Sequence, residues 1–175
     1  MDDTPLKWDH GVTDIPAHGL SIERKASAAE LAELTHALDI VACERLSVSY
    51  RIVAIAGGGY RLSGSLKSHV VQACVVTLEP VAEDLDESFA VEYWPPGAHD
   101  DSPSDEIEAL AAAEIELLGN GIIDAGRIVY EQLAAGLNPY PRIANAEFVP
   151  PADAQANDDA KTNPFAVLAK LKPKP

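Results

Sequence analysis

Apolar and polar residues alternate along the middle of the chain: Leu46, Val48, Tyr50, Ile52 and Ala54 fall in one phase, and Ser47, Ser49 and Arg51 in the other. A period of two in residues of high strand propensity sets one face on a core and the other in water, so Leu46 to Ala56 reads as a strand. Gly57-Gly58-Gly59 supplies the positive φ angles of a tight connection. Alternation then resumes through Tyr60, Leu62, Gly64, Leu66, Ser68 and Val70, which predicts a β-hairpin. The second run continues to Leu78 with Cys74 in its apolar phase beside Val70, Val76 and Leu78. It is too long for one straight strand, so a bend or bulge is expected near Gly64 or Ser68. A further strand is expected from Ser88 to Trp94, stopped by Pro95-Pro96-Gly97, and a short one from Glu114 to Leu118 before Gly119-Asn120-Gly121.

Two stretches carry helical spacing instead. Ser27 stands three residues before Glu30, the spacing of a capping box, and Leu31, Leu34 and Leu38 follow on one face, which predicts a helix over Ala28 to Leu38. Asp124 is placed to cap a second helix, with Val129, Leu133 and Leu137 on one face and an end before Pro139. Leu6 to Ala26 is expected to hold one or two edge strands, and Leu20-Ser21-Ile22-Glu23 alternates as such a strand should. His99 to Glu106 reads as an acidic loop, and Glu108 to Ala113 as a short helix or irregular chain. The fold class is therefore α+β: a twisted, mainly antiparallel sheet packed by two helices, with closure into a partial barrel left open. Residues 1–148 form the expected domain. Residues 149–175 read by composition as a disordered tail ending in Asn163-Pro164-Phe165-Ala166-Val167-Leu168 and late lysines.

Charge changes this picture more than composition does. The 175 residues carry 28 Asp and Glu against 13 Lys and Arg, a formal net charge of -15. Affinity for phosphate backbones comes from cationic side chains, so the excess argues against nonspecific nucleic-acid binding, and no DNA partner is expected. From Ser68 to Gly126 there are acidic residues and no Lys or Arg, whereas Arg24, Lys25, Arg45, Arg51, Arg61 and Lys67 all precede that stretch. This predicts acidic and basic surfaces segregated along the chain and in space. A solvated acidic face is the plainer reading, and a surface that docks a basic partner is the sharper one. The N-terminus lacks the basic and apolar regions of a leader, and no apolar run approaches a membrane span, so a cytoplasmic protein without membrane contact is expected.

Candidate chemistry is thin. Gly59-Tyr60-Arg61-Leu62-Ser63-Gly64-Ser65 has the glycine spacing of a phosphate loop, but it lacks the lysine and is followed by a strand, so no helix N-terminus faces an anion. His10, His18, His36, His69 and His99 are scattered, and neither Cys43 nor Cys74 has a partner at zinc-ligand spacing. The two cysteines read as separate buried thiols of a reducing compartment, with Cys74 a small buried hydrophobe. Asp100, Asp101, Asp105 and Glu106 lack the alternation and turn glycine of a calcium loop. No Ser or Cys is singled out as a nucleophile, so no catalytic residue, cofactor or metal ligand is assigned.

Gln72-Ala73-Cys74-Val75-Val76-Thr77-Leu78-Glu79-Pro80 resembles the cysteine-containing strand of the YceD family, the large ribosomal RNA subunit accumulation proteins. Ile123-Asp124-Ala125-Gly126-Arg127-Ile128-Val129-Tyr130-Glu131-Gln132-Leu133 is similar to that family's Asp-capped helix, followed here by Asn138-Pro139-Tyr140-Pro141-Arg142. Asn163 to Lys172 is similar to its tails. The resemblance runs roughly from Val41 to Arg142 plus that tail and leans to the alphaproteobacterial branch. Many relatives have a second cysteine three residues after the first and more near the end of the domain, whereas Thr77 and the Pro-Tyr-Pro-Arg stretch stand here, so no metal or redox role carries over. The resemblance implies a non-enzymatic ribosome-biogenesis factor that supports processing or accumulation of large-subunit ribosomal RNA. Its implied partner is a ribosomal or rRNA-processing protein, with direct contact to the RNA left open. Glu79, Pro80, Glu131, Tyr140 and Arg142 recur in the resemblance without being evident core residues and are the expected partner-binding positions. The rival readings are an acidic interaction module outside ribosome biology and a metal-dependent hydrolase built on the acidic loop.

Overall fold

The computed structural model describes residues 4–98 and 114–148. The expected acidic loop, the segment Glu108 to Ala113 and the tail beyond 148 lie outside the described residues. Among the described residues, seven strands and two α-helices follow in the order β1 (Asp9–Gly11), β2 (Leu20–Lys25), α1 (Ala28–Ala37), β3 (Ala42–Ala54), β4 (Tyr60–Ala73), β5 (Pro80–Trp94), β6 (Glu114–Leu117), β7 (Ile122–Asp124) and α2 (Ala125–Gly136). Five strands make an open sheet in the order β2-β3-β4-β5-β6, and β1 pairs with β7 in a separate ribbon. All neighbours in the large sheet are antiparallel except β5 and β6, which run parallel. The sheet is mixed and does not close into a barrel.

Both helices form where their caps predict. The Ser27 hydroxyl accepts from the Glu30 backbone N–H, and the Glu30 carboxylate accepts in return from the Ser27 N–H at 2.7 Å, which completes the capping box of α1. Glu30 also takes the indole N–H of buried Trp8 at 2.7 Å, while the Arg24 guanidinium lies 4.7 Å above the Trp8 ring. Burial pushes the Glu30 carboxyl up, but these hydrogen bonds and the Arg24 charge together hold it below its ordinary value. Asp124 accepts from the Arg127 N–H at 2.8 Å and so starts α2. Leu34 of α1 and Ile128, Val129 and Leu133 of α2 cover the buried sheet residues Leu46, Val48, Tyr50, Ile52, Leu62, Leu66, Val70, Phe89, Val91 and Tyr93.

Three strand expectations need correction. The irregularity expected near Gly64 or Ser68 falls instead between Cys43 and Arg45 in β3, while β4 pairs in continuous register on both sides. Gly64 serves close approach, not bending: it lies opposite Tyr50, and a Cβ there would sit 2.4 Å from the Ser49 carbonyl oxygen. Second, β4 ends at Ala73, so Cys74 to Leu78 belongs to a turn and Leu78 is exposed. Third, β5 begins at Pro80, eight residues before the expected start at Ser88, because the turn is tight enough to bring Ala73 opposite Pro80. The short ribbon of β1 with β7 carries no alternating pattern long enough to predict it.

Charge segregation survives along the chain but not across the sheet. The antiparallel register sets Arg61 opposite Glu92, Lys67 opposite Asp86 and His69 opposite Asp84. Arg61 pairs with Glu92, Lys67 with Asp86 at 3.0 Å, and Arg45 reaches Asp84 at 3.2 Å. The basic and acidic stretches thus interleave on the outer face instead of forming two poles.

Candidate functional site

Four of the five expected partner-binding residues meet at one end of the large sheet. The chain leaves β4 at Ala73 and turns through Cys74, whose N–H donates to the Glu79 carbonyl at 2.8 Å while its own carbonyl accepts from the Leu78 N–H at 2.9 Å. The two bonds close the turn just before Pro80 opens β5. Pro80 suits that place because the first residue of a strand can do without an N–H. The segment after α2 then crosses this turn: the Val75 N–H donates to the Pro141 carbonyl at 2.9 Å, and the Gln72 side chain donates to the Asn138 carbonyl at 3.0 Å. Glu79, Pro80, Tyr140 and Arg142 are thereby gathered around the turn, all exposed.

Glu131 is not part of this cluster. It pairs with Arg127 at 3.0 Å, one turn back on α2, and Arg127 also holds Glu116 of β6 at 3.0 Å. Glu131 lines a different hollow with Thr4, Pro5, Ala37, Glu116 and Tyr130. Its place is that of a helix-surface charge in an ion-pair network.

At the centre of the turn lies Cys74, fully buried. Hydrogen bonding from the Thr77 side chain, then from the Ile143 backbone, with lesser help from the Thr77 and Val76 backbones, outweighs burial and brings the thiol down to about 7. Thr77 stands where many relatives are expected to have their second cysteine, and here it serves as a hydrogen-bond partner of the first. Cys43, in contrast, is pushed up by burial. Both thiols are free.

Large apolar side chains also stand exposed around this centre. Leu78 is 79% exposed and Tyr140 73% exposed, with Val75 and Val41 also exposed. Val41 belongs to the same end because its N–H donates to the Val71 carbonyl at 2.9 Å. Leu78 holds φ 62°. A branched apolar side chain in the left-handed region costs about 1–2 kcal/mol, and this one recovers little of that by burial. Sequence reading placed Leu78 on a strand and so missed it; the one available signal was the turn residue Pro80 two positions on.

Two further hollows lie on the outer face of β2, β3 and β4. One of about 420 Å³ is lined by Glu23, Lys25, Ser47, Ser49, Ser65 and Lys67, and another of about 670 Å³ by Ser21, Ser49, Arg51, Ser63 and Ser65 among others. Tyr50 borders the second hollow, but its side chain is buried in the core, with its hydroxyl bonded to His10 at 2.8 Å. Neither hollow therefore offers the aromatic platform on which bases stack. Among the described residues no three His, Cys, Asp or Glu side chains gather as a metal ion requires. None of the described helices is long and apolar enough to cross a membrane.

Fold and site together define an α+β protein with an open mixed sheet, whose distinctive residues collect at a turn beside the end of α2. The family model described as large ribosomal RNA subunit accumulation protein YceD matches residues 62–172, and the chain belongs to that family. The match begins inside β4, so β1 to β3 and α1 lie outside it although β3 is paired with β4 along its length. No curated protein and no solved structure matches the chain. Membership ties the chain to the accumulation of large-subunit ribosomal RNA.

Proposed function

We propose that this protein supports large-subunit ribosomal RNA by binding a basic protein, either a ribosomal protein or an RNA-processing enzyme, and performs no chemistry of its own. The observation that carries this reading is the engagement of six of the nine Lys and Arg side chains among the described residues. Arg24, Arg45, Arg61, Lys67 and Arg127 each pair with a carboxylate of the same chain, and Arg51 donates to the His18 carbonyl at 2.7 Å. A phosphate backbone would have to displace those carboxylates one by one. Exposed pairs are worth only about 0–1 kcal/mol each, so the obstacle is the sum of the acidic field and not any single pair. A basic protein finds carboxylates left over once the pairs are made, because acidic residues outnumber basic ones 28 to 13, and it gains from that excess through complementary potential. The contact is assigned to the Cys74 turn, where Glu79, Pro80, Tyr140 and Arg142 stand around exposed Leu78.

The test is capture of partners from cells with full-length protein as bait, followed by reconstitution with purified components. The reading requires a basic protein that binds in the absence of RNA and is lost with Leu78→Asp and Tyr140→Ala. Equal or tighter binding to protein-free large-subunit RNA, abolished by neutralising Arg45, Arg51, Arg61 and Lys67, would replace it with direct RNA contact.

A further inference from the structure

We infer that the apolar patch at the Cys74 turn is a docking site for this chain's own C-terminal segment, Pro164 to Leu171. The patch consists of Val41, Val75, Leu78 and Tyr140, four large exposed side chains drawn from three separate stretches and fixed at one end of the sheet by the backbone bonds of Val41, Val75 and Leu78. Scattered single apolar residues on a surface are ordinary, but a contiguous group marks a covered surface or a contact.

The described chain ends at Phe148, six residues after Arg142, on the very segment that crosses the turn. From there to Asn163 is fifteen residues, a reach of up to roughly 50 Å at full extension, more than the distance across one end of a domain this size. Tethering over such a length gives an effective concentration on the order of mM, so even a weak contact is populated. The tail's composition suits the site. Phe165, Val167, Leu168 and Leu171 supply the apolar groups, with Lys170, Lys172 and Lys174 among and after the last of them. Glu79 of the turn and Glu83, which lies across from Val70 in β5, give those lysines acidic partners at the rim. The family match also joins the two regions: it starts in β4, takes in the turn and α2, and runs through residue 172, so the tail is part of the family's pattern and not an appendage to it. With Tyr140 covered in this way, a partner that uses Tyr140 competes with the tail.

The experiment is amide NMR on the isotopically labelled full-length chain, comparing the unchanged protein with Phe165→Asp/Leu168→Asp. Both substitutions lie outside the described residues, and the amides of Leu62, Leu66 and Val70 report whether the fold is intact. The inference requires shifts concentrated at Val41, Gln72, Val75, Leu78 and Tyr140, independent of protein concentration, and a reciprocal shift at Phe165 to Leu171 in Leu78→Asp/Tyr140→Ala. Unmoved patch amides would overturn it. So would shifts at Ile115 and Leu117 instead, or shifts that grow with concentration, which would mean docking onto a second copy. No ribosomal component enters the measurement, so its result stands apart from the proposed function.

Discussion

At the residue scale, Cys74 and Leu78 make the turn unusual and each yields a measurement. The Cys74 thiol, held down to about 7 by Thr77 and the backbone around Ile143, should titrate well before an ordinary thiol near 8.5. Thiolate absorbance followed against pH in a Cys43→Ser background shows this directly, and a midpoint at or above the ordinary value contradicts it. The linkage has a definite sign. A depressed acid contributes stability that is fully present above the unfolded value and is lost as pH falls through about 7, so unchanged protein should gain stability between pH 7 and 9 relative to Cys74→Ser. Leu78, at φ 62° and exposed, should behave oppositely to a core leucine. Leu78→Gly relieves the left-handed strain and should leave stability unchanged or raise it by up to about 1 kcal/mol, measured by chemical denaturation, whereas a buried Leu66→Ala should cost about 2–5 kcal/mol. A loss above 1 kcal/mol for Leu78→Gly would show that this side chain is part of the packing after all.

Elements show how far local pattern reaches. Both helices were legible because their caps are local chemistry: Ser27 with Glu30, and Asp124 with the N–H three residues on. The β3–β4 hairpin was legible because alternation and the glycine triplet agree. The bulge was misplaced, though the sequence holds its trace. Cys43 and Leu46 are both buried yet three apart, which a strict period of two cannot satisfy, and the irregularity between Cys43 and Arg45 restores the phase. Gly64 invited the error because a glycine within a strand marks either a bulge or a close approach, and only the cross-strand partner Tyr50 decides which. The cluster of Glu79, Pro80, Tyr140 and Arg142 was visible as separate residues but not as a group, since the Val75 to Pro141 bond joins positions far apart in sequence. Gly126 makes the packing of α2 testable. A Cβ there would lie 2.0 Å from the Leu6 carbonyl oxygen, so Gly126→Ala should destabilise by about 1–3 kcal/mol or more despite its gain in helix propensity. Gly119→Ala, where a Cβ meets nothing within 4 Å, should be near neutral, and equal effects of the two would contradict the close packing of α2 on the Leu6 to Trp8 segment.

For the whole molecule, charge was the least reliable guide to shape. Segregation along the chain became interleaving once the antiparallel register set Arg61, Lys67 and His69 against Glu92, Asp86 and Asp84. Such register depends on turn geometry, which the charge pattern does not encode. The net charge of -15 nonetheless remains, and it predicts that partner association slows as salt rises, by a change in on-rate more than off-rate. A salt-independent on-rate would place the recognition in the apolar patch alone.

The central claim, that the protein sustains large-subunit ribosomal RNA through the Cys74 turn, is tested most directly in cells. The measurement is the ratio of large-subunit to small-subunit ribosomal RNA, with precursor ends mapped, in cells depleted of the protein and then supplied with the unchanged chain or with Leu78→Asp/Tyr140→Ala. The account predicts a selective fall in the large-subunit RNA on depletion, recovery with the unchanged chain, and no recovery with the variant although it accumulates as folded protein. A ratio unmoved by depletion would contradict the functional claim itself, and full recovery with the variant would contradict the assignment of that function to the turn.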